Sequence, residues 1–355
     1  MRKIGILTSG GDCAGLNPAI YALARSLYTR LDEVELIGIY DGYTGLIDLN
    51  FKKLELRDFD DLLDKGGTFL RSIRQSFKTI DVKNDKGYSK ADRMVENYKA
   101  LKLDALVTLG GNGTHKVANL LSQRGLNIVA LPKTIDNDIF GTEETFGYQT
   151  AIQRGVEYIE VLKTTAASHS RIFLVEIMGN KVGWLPLETG VASGSDVILL
   201  PEIPYDIKKV AGAIKKTLKI RNYAIVTVAE GAFSKGESRK FKERVLERKA
   251  AGYNFVSDKL AAELAKIIPE EMRTAVPGHF LRGGAPNAYD INYTMQLGDY
   301  AAKLIENEVY GVTVAKIEGD IHHNLLSEVA GVAKPVTEEN RLMKAARNVG
   351  ISFGD

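Results

Sequence analysis

Short apolar runs alternate with longer amphipathic stretches along most of this 355-residue chain, and that alternation restricts the fold more than any other feature. The runs Ile4–Leu7, Glu35–Tyr40, Ala105–Leu109, Ile128–Leu131, Ile172–Ile177, Val197–Leu200 and Ala224–Val228 read as buried strands. Helical periodicity marks Pro18–Arg30, with Ile20, Leu23, Ala24 and Leu27 on one face, and also Ala91–Leu101, Val156–Lys163 and Asp290–Asn307. The alternation predicts an α/β fold of parallel sheets with helices on both faces. At roughly 100–200 residues per domain the length predicts two domains. No low-complexity or Pro-rich linker separates them.

Composition narrows the partners. The chain is 45% hydrophobic and 26% charged, with a formal net charge of +2. Lys and Arg form no long runs, so neither nucleic acid nor a membrane surface is an expected partner. Any anion must be recognised locally. The single cysteine, Cys13, excludes an intramolecular disulfide framework and fits a reducing compartment. The chain opens on an apolar strand without signal-peptide shape, and no apolar run approaches the ~20 residues of a membrane span. A cytoplasmic location is expected.

Two glycine loops come next. Leu7-Thr8-Ser9-Gly10-Gly11-Asp12 and Val107-Thr108-Leu109-Gly110-Gly111-Asn112 each follow an apolar strand and precede a helical pattern. Paired glycines let backbone N–H groups turn toward an anion, and a following helix N-terminus adds partial positive charge. One such loop reads as a bare strand-to-helix turn. Two of them, outside the carboxyl ends of strands, point to phosphate. Neither a P-loop nor a GxGxxG fingerprint is present.

Pro132-Lys133-Thr134-Ile135-Asp136-Asn137-Asp138 follows the strand ending at Leu131. An extended backbone would put Thr134, Asp136 and Asp138 on one side. Two close carboxylates there raise one pKa and can hold Mg²⁺, the equipment for taking a proton from a hydroxyl beside metal-neutralised phosphates. A solvated Asp-rich turn is the alternative. In the stretch Pro277-Gly278-His279-Phe280-Leu281-Arg282-Gly283-Gly284-Ala285-Pro286, with Arg273 upstream, His279 and Arg282 can donate to a sugar phosphate. A structural histidine is the alternative there.

These segments, together with Asp41-Gly-Tyr43-Thr-Gly45, Gly66-Gly-Thr-Phe69, Gly110-Gly-Asn-Gly-Thr114, Met178-Gly179 and Pro201-Glu202, stand in the order of the 6-phosphofructokinase family. The chain resembles that family over nearly its whole length. The resemblance implies two similar Rossmann-like three-layer α/β/α domains with the active site in the cleft between them. Residues 1–138 with 281–330 would bind the phosphoryl donor, and 139–280 with 331–355 fructose 6-phosphate. It also implies a Mg²⁺-dependent transfer to the sugar 1-hydroxyl in glycolysis. Asp136 matches the general base, with Thr134 beside it, Asp138 near the transferred phosphoryl group, and Arg74 stabilising transition-state charge. Donor contacts would come from Gly10, Gly11, Tyr43, Arg74, Gly111, Asn112, Gly113, Thr114 and Lys133. The sugar phosphate would meet Thr134, Asp136, Met178, Gly179, Glu230, His279 and Arg282. Arg171 and Arg273 match positions that reach the 6-phosphate from a neighbouring subunit. The metal would lie near Asp136, Asp138 and Asn112. A homo-oligomer with shared sites, of tetramer size, is the expected assembly.

ATP and pyrophosphate both serve as donors in that family. Gly113 matches ATP users, since pyrophosphate users place an aspartate there, a charged barrier to the α-phosphate. Lys133 and Val117 point toward pyrophosphate, but neither is a barrier. ATP is therefore the expected donor, with pyrophosphate the alternative. Asn112 stands where a metal-binding aspartate is usual, and Asn180 where an arginine is usual, a lost cation that Lys133 could replace. Arg25, Lys219 and Arg221 match basic effector positions, while Tyr21 and Lys163 replace arginines there. A catalytically impaired sugar-phosphate-binding subunit would carry Asn112 and Asn180 as its marks, yet Thr134, Asp136, Asp138 and Arg74 are all retained. An NAD- or lipid-kinase reading rests on Gly110–Thr114 alone.

Overall fold

The computed structural model describes residues 1–355. From the N-terminus the chain forms β1 (Arg2–Ser9), α1 (Leu16–Arg30), β2 (Val34–Ile39), α2 (Tyr43–Asp48), β3 (Phe51–Leu54), α3 (Phe77–Ile80), α4 (Lys90–Ala100), β4 (Ala105–Gly110), α5 (Asn112–Gln123), β5 (Ile128–Pro132) and α6 (Tyr148–His169). There follow β6 (Ile172–Ile177), α7 (Trp184–Ala192), β7 (Val197–Leu199), α8 (Ile207–Leu218), β8 (Ala224–Ala229), α9 (Phe241–Ala250), α10 (Val256–Leu264) and β9 (Met272–Ala275). The last elements are α11 (Ala288–Glu306), β10 (Val312–Ile317), β11 (Asp320–Leu325), α12 (Leu326–Val329) and α13 (Arg341–Asn348).

Two compact units result: Met1–Thr150 with Arg282–Lys334, and Ala151–Leu281 with Pro335–Asp355. The first holds a seven-stranded sheet in the order β11-β10-β5-β4-β1-β2-β3. Its inner strands pair in parallel, and β3 and β11 add antiparallel edges. The second holds a four-stranded, all-parallel sheet in the order β7-β8-β6-β9. All seven apolar runs are strands, as their lack of a polar face requires. Four strands carried no such signal, namely β3, β9, β10 and β11.

Residues 139–150 belong with the first unit, whereas the sequence reading grouped them with the second. Hydrogen bonds explain the difference. Glu143 N donates to Lys316 O at 2.9 Å, and Gly147 N and Thr150 N each donate to the buried Asp290 carboxylate of α11 at 2.8 Å. Residues 331–334 move to the first unit as well, where Lys334 N donates to Asp138 O at 3.1 Å. On one face of the first sheet, Leu7, Ile37, Leu106 and Ile128 pack with Met94 of α4 and Leu121 of α5. In the second unit, Leu174, Leu199 and Val226 are covered by Val210 and Ile214 of α8 and Leu260 of α10. Removal of such side chains from water is the main stabilising term for both cores.

Candidate functional site

The order β5-β4-β1 places three strand ends side by side in the first unit. Ser9 is in register with Gly110, and Gly110 with Pro132. Strand β1 leads to β2 on one side while β4 lies on the other, so the two glycine loops flank a topological switch point, where open α/β sheets bind ligands. Helix α5 begins at Asn112, with Gly111 as N-cap and no side-chain cap. Its first N–H groups and positive dipole end are left for an anion.

What lies around the loops fixes their shape. Thr114 Oγ1 donates to Ser9 O at 3.3 Å, linking one loop to the other. Lys133, only 3% exposed, donates from Nζ to Gly11 O, and burial lowers its pKa. Its ammonium thus clips the first glycine loop. Arg282 Nη1 donates to Asp12 O at 3.1 Å and lies 3.0 Å from where a Gly11 Cβ would be. The sequence reading gave Arg282 to the sugar; the structure sets it against the β1 glycine loop. A Cβ on Gly66 would overlap Gly284 O, so the Gly66-Gly67 and Gly283-Gly284 motifs meet backbone to backbone. Around Gly113, by contrast, a Cβ meets nothing within 4 Å.

Two residues read as nucleotide markers turn inward. Tyr43 is fully buried, and its hydroxyl donates to Thr114 O at 2.9 Å, so it supports α5 from below and has no surface to offer a donor. Val117 is buried within the core. Sequence reasoning missed His115, also fully buried, with Nδ1 3.1 Å from Gly111 O and Nε2 2.8 Å from Thr313 Oγ1. Burial, reinforced by Lys133, pushes its pKa down to about 4, so the ring is neutral. A neutral ring fits these partners with Nδ1–H donating to Gly111 O and the Thr313 hydroxyl donating to Nε2.

Beside the β1 loop opens a cavity of about 460 Å³ lined by Gly10, Gly11, Arg71, Ser72 and Arg74 among others. Arg74, expected from the sequence to contact the donor, lines this cavity. Arg71 and Ser72 were not foreseen; Ser72 Oγ donates to Gly10 O at 2.7 Å.

The carboxylate segment is a turn, so the extended arrangement that would put Thr134, Asp136 and Asp138 on one side does not form. Strand β5 ends at Pro132, Asp136 N donates to Thr134 Oγ1 at 3.0 Å, and Asn137 takes a left-handed φ of 51°. A threonine hydroxyl capturing the N–H two residues on is a local alternative to strand geometry. The turn still brings the Thr134 hydroxyl to the Asp138 carboxylate. Desolvation raises the Asp138 pKa, opposed by hydrogen bonds from Asn112 and Thr134. Asn112 Nδ2 donates to Asp138 O at 2.9 Å, which leaves Asn112 Oδ1 buried without a partner.

In the second unit, β6 and β8 end side by side, Ile177 in register with Ala229. Met178 and Gly179 follow β6. Glu230 follows β8 and accepts from Gly179 N at 3.1 Å and from Asn180 N at 2.5 Å. His279 lies on the short turn Gly278–Leu281. Arg171 and Arg273 flank one carboxylate: Arg171 Nε donates to Glu271 at 2.7 Å, and Arg273 pairs with its other oxygen. Of the effector positions, Arg221 pairs with Asp196 at 2.6 Å and stacks on Tyr223.

Residues 3–305 match the family model described as Phosphofructokinase. The chain belongs to the phosphofructokinase family. Members similar to it include an ATP-dependent 6-phosphofructokinase of Spirochaeta thermophila, 44% identical over 100% of this chain and 98% of that one. Another, of Bacteroides thetaiotaomicron, is 39% identical over 99% of this chain and 100% of that one. Among solved structures, Pichia pastoris phosphofructokinase in the T-state superposes with a TM-score of 0.79 at 29% identity, over 98% of this chain. This chain spans 36% of that yeast polypeptide. A pyrophosphate-dependent phosphofructokinase of Nitrosospira multiformis shares the fold, with a TM-score of 0.81 at 19% identity over 100% of this chain and 93% of that one. No helix of the protein is long and apolar enough to cross a membrane.

Proposed function

We infer that this chain is an ATP-dependent 6-phosphofructokinase, which moves the terminal phosphoryl group of ATP to the 1-hydroxyl of fructose 6-phosphate. The observation that carries the reading is the agreement of full-length relatives of that name with the open space at Gly113. A donor longer than pyrophosphate needs that space for its α-phosphate.

The donor phosphates would lie along the two glycine loops, against the α5 N-terminus and Arg74. Asp136 would take the proton of the sugar hydroxyl as its oxygen attacks the terminal phosphorus. The bond to the bridging oxygen then breaks and ADP leaves with its electron pair. Arg74 and the backbone N–H groups stabilise the charge that spreads over the phosphoryl oxygens. Met178, Gly179, Glu230 and His279 would hold the sugar phosphate.

Asn112 and Asp138 fit a magnesium ion. One offers a buried amide oxygen without a partner, the other a carboxylate that burial has left poorly solvated. Mg²⁺ is commonly held by one or two protein oxygens plus substrate phosphates, so the small donor set suffices. The ion would supply charge neutralisation on the phosphates.

Replacing Asp136 by Asn keeps shape and removes basicity. Turnover is expected to fall at least ~10²-fold, with sugar-phosphate affinity little changed. Steady-state kinetics with product detection decide it: near-normal turnover in the variant removes Asp136 as the base.

A further inference from the structure

Arg71 occupies a conformation that its residue type disfavours. Its φ is 56°, in the left-handed region where glycine is at ease and an arginine is strained. Such a residue persists only where its surroundings over-determine it. Here they do. Arg71 N donates to Thr68 O at 3.2 Å, Thr8 Oγ1 donates to Arg71 O at 2.8 Å, and Asp41 N donates to Leu70 O at 3.0 Å. The next residue, Ser72, is bonded through its hydroxyl to Gly10 O at 2.7 Å. The segment is therefore tied to both the β1 strand and its glycine loop.

Stability does not account for an arginine at this point. Its side chain is 60% exposed, and its ion pair is a contact of 3.2 Å from Nη2 to Asp41. An exposed pair of this kind contributes little, and the Tyr40 ring 5.0 Å away adds a modest attraction. Glycine at position 71 would lose both and gain an unstrained backbone. What glycine could not supply is a cation. Arg71 lines the same cavity as Gly10, Gly11 and Arg74, and one Nη2 contact leaves most of its five-donor fork unused.

We propose that Arg71 is a second guanidinium of the donor site, held in a left-handed backbone so that its fork reaches the phosphate chain of ATP. It binds phosphate from the cavity side through the donors that the contacts with Asp41 and Tyr40 leave over. This rests on the placement of the donor along the glycine loops, so the test has to separate the two.

The KM values for ATP and fructose 6-phosphate, the dissociation constant of Mg-ADP and the melting temperature would be measured for Arg71→Gly and Arg71→Lys, with Arg74→Ala alongside. Arg71→Gly should raise the KM for ATP and the Mg-ADP dissociation constant fivefold or more. Its KM for the sugar phosphate should stay within twofold, and its melting temperature should hold or rise. Arg71→Lys should recover only part of the donor affinity, since lysine lacks the planar fork. If Arg71→Gly leaves donor affinity unchanged while Arg74→Ala cripples turnover, the role given to Arg71 is wrong and the loop placement stands. If both variants behave as wild type, the donor does not lie at these loops and both ideas fall.

Discussion

At the residue scale the site is a set of ordinary side chains placed in unusual surroundings. His115 shows it most plainly. Buried between the Gly111 carbonyl and Thr313, it stays neutral down to about pH 4. In the unfolded chain an ordinary histidine takes up a proton near pH 6.5. Between those values the unfolded state binds the extra proton, so the folded state loses stability progressively as pH falls from about 6.5 toward 4. The loss is on the order of 3 kcal/mol across the window. Urea unfolding of wild type and His115→Gln at pH 4.5 and pH 7.5 should show a smaller pH dependence in the variant. Equal dependence in both proteins means that His115 protonates natively as freely as in the unfolded chain. The residue types at Thr134, Asp136 and Asp138 were legible from their order after a buried strand. Their geometry was not, because alternation of sides presupposes an extended backbone, and one hydroxyl, that of Thr134, turns the chain instead. Tyr43 misled for a related reason: a motif records a residue type, not which way the ring points. Arg282 carried a signal of anion recognition but not its neighbour.

At the scale of elements, the proposed donor site rests on α5 and the loop before it. Gly113 is the second residue of α5, with open space beyond it. An aspartate there meets no steric obstacle, and a carboxylate in the first turn is favourable to the helix dipole by roughly 0.5 kcal/mol. Gly113→Asp should therefore fold as well as wild type. If the α-phosphate of ATP lies over this glycine, like charges about 4 Å apart repel by roughly 4 kcal/mol at an effective dielectric near 20. The expected outcome is a loss of ATP affinity of more than ~10²-fold with little change for the sugar phosphate. Pyrophosphate, which ends short of that position, should be used no worse than before. Unchanged ATP kinetics in a folded Gly113→Asp variant would place the nucleotide elsewhere. The elements themselves were legible where burial was two-sided. Strands β1, β2, β4, β5, β6, β7 and β8 announced themselves as apolar runs. Strands β3 and β11 are edges with mostly exposed side chains, and β9 reads Met-Arg-Thr-Ala with two of its residues exposed. Edges kept polar against unwanted pairing leave no hydrophobic period to read. Strand β10 was the real omission, since Val312, Val314 and Ala315 are buried.

At the scale of the whole molecule the question is whether one chain is enough. Arg171 and Arg273 sit together on Glu271, an exposed carboxylate whose pKa they lower. Two guanidinium groups share this one carboxylate through a single contact each, with most of their donors unspent. The family resemblance assigns both arginines to the sugar phosphate of a neighbouring subunit. If that assignment holds here, each complete site takes Asp136 from one chain and Arg273 from another. Two inactive proteins, Asp136→Asn and Arg273→Ala, should then restore activity when dissociated together and reassembled, because some mixed sites receive both intact halves. For a simple pairwise exchange at equal amounts, about a quarter of the sites would do so by random assortment. The same mixture kept undissociated is the control and should stay inactive. Mass measurement of the reassembled oligomers shows whether mixing took place. If mixed oligomers form and remain dead at every ratio, each chain builds its site alone, and Arg171 and Arg273 then serve the surface of their own subunit.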